Sequence, residues 1–100
     1  MRPIHLAALD KTRPVVILTR EQVRPYLRSV SIVPITSTIR GLSTEVPVGK
    51  ANGLDHDSVV SCDNITTVAR DAVGERIGYL LPAQEEALAR AIAAAYDLDL

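Results

Sequence analysis

Arg13-Pro14-Val15-Val16-Ile17-Leu18 and Ile32-Val33-Pro34-Ile35-Thr36 are two β-branched runs separated by a short polar interruption. Each has the length of one strand, and branched side chains pack well on a pleated surface. Residues facing each other across an antiparallel hairpin have numbers with a constant sum. A turn centred near Arg24-Pro25 gives a sum of about 49, which is also the sum for Arg13 and Thr36. If the two strands pair, an arginine at the start of one meets a threonine at the end of the next. A guanidinium can fork two hydrogen bonds onto a phosphate, and the hydroxyl adds another donor.

Further strands read outward from this hairpin. Ile4 to Leu9 forms a first short strand, joined by Asp10-Lys11-Thr12 to the run Pro14 to Thr19, and Glu21 to Leu27 reads as a helical turn or loop. Val30 to Thr36 follows, with Pro34 expected at a sheet edge or bulge because proline donates nothing to a ladder. Thr44 to Val48, Ser58 to Cys62, Asn64 to Val68 and Arg76 to Leu81 complete the strand-like segments, with a turn at Asn52-Gly53-Leu54-Asp55. Short strands separated by turns imply a small barrel or a strongly twisted sheet. The chain ends in a helix: Pro82 suits its first turn, Glu85 and Glu86 complement the dipole, and Leu88, Ile92 and Ala95 share one face.

One hundred residues with three tyrosines and no Phe or Trp make one small domain, 1–100, whose core is left to Val, Ile, Leu and Ala. A dimer interface would add burial. No run approaches a membrane span, and the start Met1-Arg2-Pro3-Ile4 goes straight into a strand pattern, so the chain reads as soluble and cytoplasmic. Cys62 stands alone, which excludes a disulfide framework and reads as a small buried thiol. Asp55-His56-Asp57 lies on a turn where adjacent side chains rarely converge on one ion, and His5 has no evident partner; neither metal nor cofactor is expected.

The charge is unevenly distributed along the chain. Residues 1–50 carry eight basic and three acidic side chains, a net +5, and residues 51–100 three and nine, a net −6. Such asymmetry suggests a basic face that tracks a nucleic-acid backbone, with arginine preferred as phosphate recognition favours. Lys11, Arg20, Arg24, Arg28 and Arg40 are candidates for backbone contacts, Ser37 and Thr38 for phosphate or sugar and Tyr26 for stacking on a base.

The collinear order of Asp10, Arg13-Pro14-Val15-Val16-Ile17-Leu18, Val33-Pro34-Ile35-Thr36, Gly53-Leu54-Asp55-His56-Asp57-Ser58-Val59-Val60, Ile65-Thr66-Thr67-Val68 and Ile77-Gly78-Tyr79-Leu80 before a terminal helix resembles the MazF/PemK family over nearly the whole chain. The resemblance implies a mainly β (α+β) fold, a small SH3-like barrel of the CcdB/MazF type with a C-terminal helix. It also implies a homodimer, a metal-independent endoribonuclease acting on single-stranded RNA, and a cognate antitoxin with a disordered acidic tail. The family's catalytic arginine and threonine fall on Arg13 and Thr36, and the resemblance also implies that Asn64 lines the RNA groove, where relatives have polar residues. The chain departs from the family in its first loop, only Asp10-Lys11-Thr12, where relatives have a longer one. A shorter loop leaves the site more open, which extends the expected substrates from mRNA to tRNA or rRNA loops. The alternative is a CcdB-like poison that binds gyrase through its terminal helix and has no use for the Arg13 and Thr36 pair.

Overall fold

The computed structural model describes residues 1–99. Seven strands are followed by one helix: β1 (Pro3–Ala8), β2 (Thr12–Ile17), β3 (Ser29–Thr36), β4 (Glu45–Val48), β5 (Ser58–Ser61), β6 (Thr66–Ala69), β7 (Val73–Tyr79) and α1 (Pro82–Ala95). All pairings are antiparallel, in the order β4-β5-β3-β2-β1-β7, with β6 also on β3.

The hairpin register is the one the sequence predicts. β2 and β3 pair as Val15↔Pro34, Val16↔Val33 and Ile17↔Ile32, a constant sum of 49. Leu18 extends the ladder by donating to the Ser31 carbonyl at 2.9 Å. There the Thr19 hydroxyl takes over, accepting the Ser31 N–H at 2.9 Å, which ends β2 before the predicted Thr19. The connection is a 3-10 turn, Glu21–Tyr26.

Pro34 sits on an inner strand, not at a sheet edge. β3 pairs with β6 as far as Ile32 and with β5 from Ile35, so Val33 and Pro34 have a strand neighbour only on the β2 side. The missing N–H falls in that gap. Other boundaries moved for tertiary reasons. A 3-10 turn at Cys62–Asn64 delays β6 to Thr66, and β7 starts at Val73 because it follows the edge of β1 through two register shifts. Gly74, Glu75 and Arg76 are exposed on that strand, so no alternation marks it.

Chain length forces the sheet to curl. β6 and β7 occupy opposite ends of the run β6-β3-β2-β1-β7 yet are joined by only Arg70–Ala72. In a flat sheet those ends would stand about 19 Å apart, four gaps of about 4.8 Å. The turn cannot bridge that distance at about 2 Å per residue, so the sheet curls into a small barrel, with no ladder joining β6 to β7 among the described residues.

Alternate residues then face two cores. Ala7, Val15, Ile17, Val30 and Ile32 fill one. Ile4, Val16, Val33 and Ile35 face the other, where β4, β5 and α1 contribute Val46, Val60, Leu88 and Ala91. Ile92 and Ala95 pack on this second core, completing the predicted helical stripe. Gln84 caps the helix by accepting the Leu81 N–H at 2.9 Å. Cys62 is buried here, and burial, with Asp63 beside it, pushes its thiol up to about 11. His5 Nδ1 donates to the Gly74 carbonyl at 2.9 Å. Among the described residues no helix is long and apolar enough to cross a membrane.

Asn52 pins the loop that borders the site. Its amide donates to the Tyr79 carbonyl and to Gln84 Oε1, at 2.9 and 2.6 Å, while its oxygen accepts from Gly49 N–H and Gln84 Nε2. Next to it the Asn52–Gly53 and Ile77–Gly78 backbones touch. A Cβ on Gly53 would overlap the Ile77 carbonyl oxygen, and one on Gly78 would overlap the Asn52 carbonyl. Gly53 also has φ +86°, so this approach is open only to glycine.

Candidate active site

Arg13 shares a face of β2 with Val15 and Ile17, and Thr36 shares the corresponding face of β3 with Ile32 and Pro34, by the period of two. Continuing the paired register by two residues beyond Val15↔Pro34 sets Arg13 across from Thr36. Both side chains line two adjoining clefts of about 550 and 500 Å3. Arg13, Ile35, Thr36 and Thr38 belong to both, so the pair stands on the ridge between them.

Arg13 is held by Asp10, which the sequence placed in the family pattern but not as a partner of Arg13. Its Nε donates to Asp10 Oδ1 at 2.9 Å and its Nη2 to Asp10 Oδ2 at 3.1 Å, a side-on fork across the tight β1–β2 connection. A guanidinium carries five N–H donors. The fork uses two, leaving both Nη1 protons and one on Nη2 without a partner in the fork. The paired guanidinium holds the Asp10 carboxyl at about 2, below its ordinary 3.8, and Asp10 in turn raises Arg13. The signal was present as opposite charges three residues apart at a strand connection.

Thr36 is oriented as well. Its Oγ1 accepts the Thr38 N–H at 3.1 Å, so its own proton stays available to an acceptor in the clefts. The following loop is anchored by Glu45, whose Oε1 accepts the N–H groups of Arg40, Gly41 and Leu42 at 3.1, 2.8 and 3.1 Å. This places Arg40 at the first cleft. No local pattern marks Glu45, because its partners are main-chain amides.

The other predicted residues divide. Lys11 and Ser37 line the second cleft, Arg40 and Asn64 the first, and Thr38 both. Asn64 donates to Ser61 Oγ at 2.8 Å, and Thr44 Oγ1 donates to Asp63 at 2.7 Å, which builds the wall opposite the hairpin. Arg20, Arg24 and Tyr26 are not brought to this site. They lie on the connection between β2 and β3, the closed end of the same hairpin whose open end carries Arg13 and Thr36. Arg24 is tied there, its Nε donating to the Thr19 carbonyl at 2.7 Å. A uniformly basic groove is not found either. The first cleft sets Arg13 and Arg40 against Asp10, Glu45 and Asp63, while the second holds Lys11 and Arg13 against Asp55. Among the described residues no group of three His, Cys, Asp or Glu is placed to hold a metal ion.

A curled antiparallel sheet with one C-terminal helix carries an oriented arginine and hydroxyl beside open clefts, a small barrel with a cation and a hydroxyl donor on one cleft wall. The chain belongs to the PemK-like, MazF-like toxins of type II toxin-antitoxin systems, whose family model matches residues 5–96. It is 63% identical over 99 residues to endoribonuclease MazF3 of Mycobacterium tuberculosis, covering 99% of this chain and 96% of that protein. Its structure superposes on the Mycobacterium tuberculosis toxin MazF-mt6 with a TM-score of 0.96 at 62% identity, covering 99% and 100% of the two chains. A mycobacterial endoribonuclease in complex with its cognate antitoxin is similar at a TM-score of 0.86 and 26% identity, covering 98% and 94%.

Proposed function

We infer that this chain is the toxin of a type II pair and acts as a metal-independent endoribonuclease. The observation that carries the reading is Arg13, forked by Asp10 so that its outer donors stay free, on the same cleft walls as the Thr36 hydroxyl. In the reaction, the ribose 2′-oxygen attacks the adjacent phosphorus and the bond to the 5′-oxygen breaks. The products are a 2′,3′-cyclic phosphate and a 5′-hydroxyl. Arg13 stabilises the charge growing on the phosphoryl oxygens, and Thr36 donates a hydrogen bond to one of them. A guanidinium is a poor proton donor because its pKa lies above about 12, so its part is electrostatic.

Clefts on both sides of the pair give single-stranded RNA room upstream and downstream of the scissile phosphate. The connection over them is short, Leu9 to Lys11 between the paired Ala8 and Thr12, which supports structured tRNA or rRNA loops as substrates beside mRNA. Inhibition comes from a cognate antitoxin whose acidic, disordered tail fills the same clefts. The protein acts in the cytoplasm as a homodimer of single-domain subunits. A gyrase-binding poison of the CcdB kind is not favoured, because the relatives at 63% and 41% identity carry the names endoribonuclease and probable endoribonuclease.

The deciding assay incubates pure protein with mixed-sequence RNA in excess EDTA. Cleavage that leaves 5′-hydroxyl ends, absent on all-deoxy substrate and abolished by Arg13→Ala, is the expected outcome. Intact RNA sinks the reading.

A further inference from the structure

Four arginines gather at the end of the barrel away from the clefts. Arg20, Arg24 and Arg28 come from the β2–β3 connection, Arg28 just before β3, and Arg70 from the β6–β7 turn. The segments are stitched together by the main chain. Arg70 N–H donates to the Arg28 carbonyl at 2.8 Å, and Arg70 Nη1 to the Pro25 carbonyl at 2.6 Å. Arg24 is held in the same way by the Thr19 carbonyl.

The side-chain partners of these arginines are carbonyl oxygens, which leave the positive charges uncancelled. Among the described residues the one side-chain ion pair is Arg13 with Asp10, at the other end of β2. Arg20 and Arg28 are exposed, and among the described residues neither guanidinium makes a hydrogen bond. Glu21 and Asp71 are the acidic residues on the same turns, so the patch keeps a net positive charge. Tyr26 stands among these arginines with 85% of its surface exposed, a large aromatic face that packs on little of the protein.

We propose that this patch is a second RNA-binding site, distinct from the cleavage clefts, which takes the phosphate backbone and one base of the same RNA beyond the scissile segment. Two guanidiniums held by carbonyls, Arg24 and Arg70, and two free ones, Arg20 and Arg28, all without carboxylate partners among the described residues, match a polyphosphate, and an exposed tyrosine beside them gives a base a surface to stack on. An acidic protein would find the charges but has no need of the ring, so the combination favours RNA. Arg20 lies seven residues along the chain from Arg13, roughly 20 Å at about 3.3 Å per residue. An oligonucleotide that just fills the clefts cannot span that distance, whereas a long or folded RNA can. The inference rests on the endoribonuclease reading and adds where the rest of the substrate runs.

The test uses 2′-O-methyl RNA of mixed sequence, which binds but cannot be cut, in lengths of about 3 and 40 nucleotides, read by fluorescence anisotropy on the full-length protein. The Arg20→Glu/Arg28→Glu variant is expected to weaken the 40-mer at least tenfold more than the 3-mer. It should also lower the slope of log affinity against log salt by about 1.4, from two lost phosphate contacts at about 0.7 each. Tyr26→Ala, which changes no charge, should weaken the 40-mer selectively as well. Equal weakening of both lengths, or none, overturns the proposal. So does a variant that binds the 40-mer normally but loses affinity for an acidic peptide, or one whose subunit association changes. Failure of the wild type to cleave unmodified RNA counts against the endoribonuclease reading alone, because this measurement involves no cleavage.

Discussion

Asp10 grips Arg13 by one edge of the guanidinium, through Nε and Nη2 at 2.9 and 3.1 Å, and leaves the opposite edge directed at the clefts. The carboxylate thereby sets the orientation of the charge without cancelling all its donors. Asp10→Asn keeps the shape but offers one oxygen and loses the charge. We expect kcat to fall at least tenfold while affinity for uncleavable RNA changes much less. Single-turnover cleavage beside anisotropy separates the two effects.

The same pair predicts a pH response. The Asp10 carboxyl is depressed in the folded protein, from 3.8 to about 2. A depressed acid contributes stability that is present above its ordinary pKa and lost as pH falls through the folded value, here between about 4 and 2. The fork therefore stays intact throughout the neutral range, and pH effects on cleavage there arise elsewhere. Carboxyl NMR titration should place Asp10 near 2, and Arg13→Ala should return it toward 3.8.

Thr36 and Arg13 separate by conservative substitution. Thr36→Val keeps the branched shape but removes both the acceptor for the Thr38 N–H and the donor to phosphate. A loss of about 100-fold in kcat is expected, the usual scale for one transition-state donor. Thr36→Ser should keep most activity. Arg13→Lys should behave like Arg13→Ala, because an ammonium cannot hold Asp10 side-on and present a second edge. Comparable activity in the Val and Ser variants would contradict the role given to the hydroxyl.

Glu45 collects three main-chain amides on one oxygen. Glu45→Ala leaves them without a protein partner, with an expected cost of about 1–3 kcal/mol and a raised KM as Arg40 loses its placement. Glu45→Gln, which keeps an acceptor oxygen, should lie between. Denaturant melts and steady-state kinetics on the same samples check both readings.

Gly53→Ala should be among the most damaging small changes in the chain, since the new Cβ meets the Ile77 carbonyl and φ is +86°. A loss of at least about 2 kcal/mol is expected, roughly 10 °C in melting temperature for a domain of this size. Ala83→Gly, exposed in the first turn of α1, is a control that should cost about 1 kcal/mol or less.

Much of the barrel was readable from local pattern. Val15 to Ile17 and Val30 to Ile35 announce their strands by branched side chains, and the pairing sum of 49 holds in the structure. The stripe Leu88, Ile92 and Ala95 likewise faces the core. β7 was harder, because an edge strand with Gly74, Glu75 and Arg76 exposed has no alternation to detect. Pro34 misled in a different way: a proline signals a missing donor, and the sequence does not say that the gap lies between two partners of one inner strand.

The site divides along the same line. Hairpin register and strand periodicity are local, so the chain by itself determined that Arg13 and Thr36 share a face and stand opposite one another. The same arithmetic carries Arg20, Arg24 and Tyr26 to the other end of the hairpin, which charge alone concealed. Only the curled barrel decided what surrounds the pair. Asp63 and Asn64 reach the first cleft because β5 pairs with the end of β3, and Arg70 joins the distant arginines because a three-residue turn links the sheet's two ends. Contacts of that kind depend on which strands become neighbours, a choice made by burying two cores at once and not by any segment's own preferences.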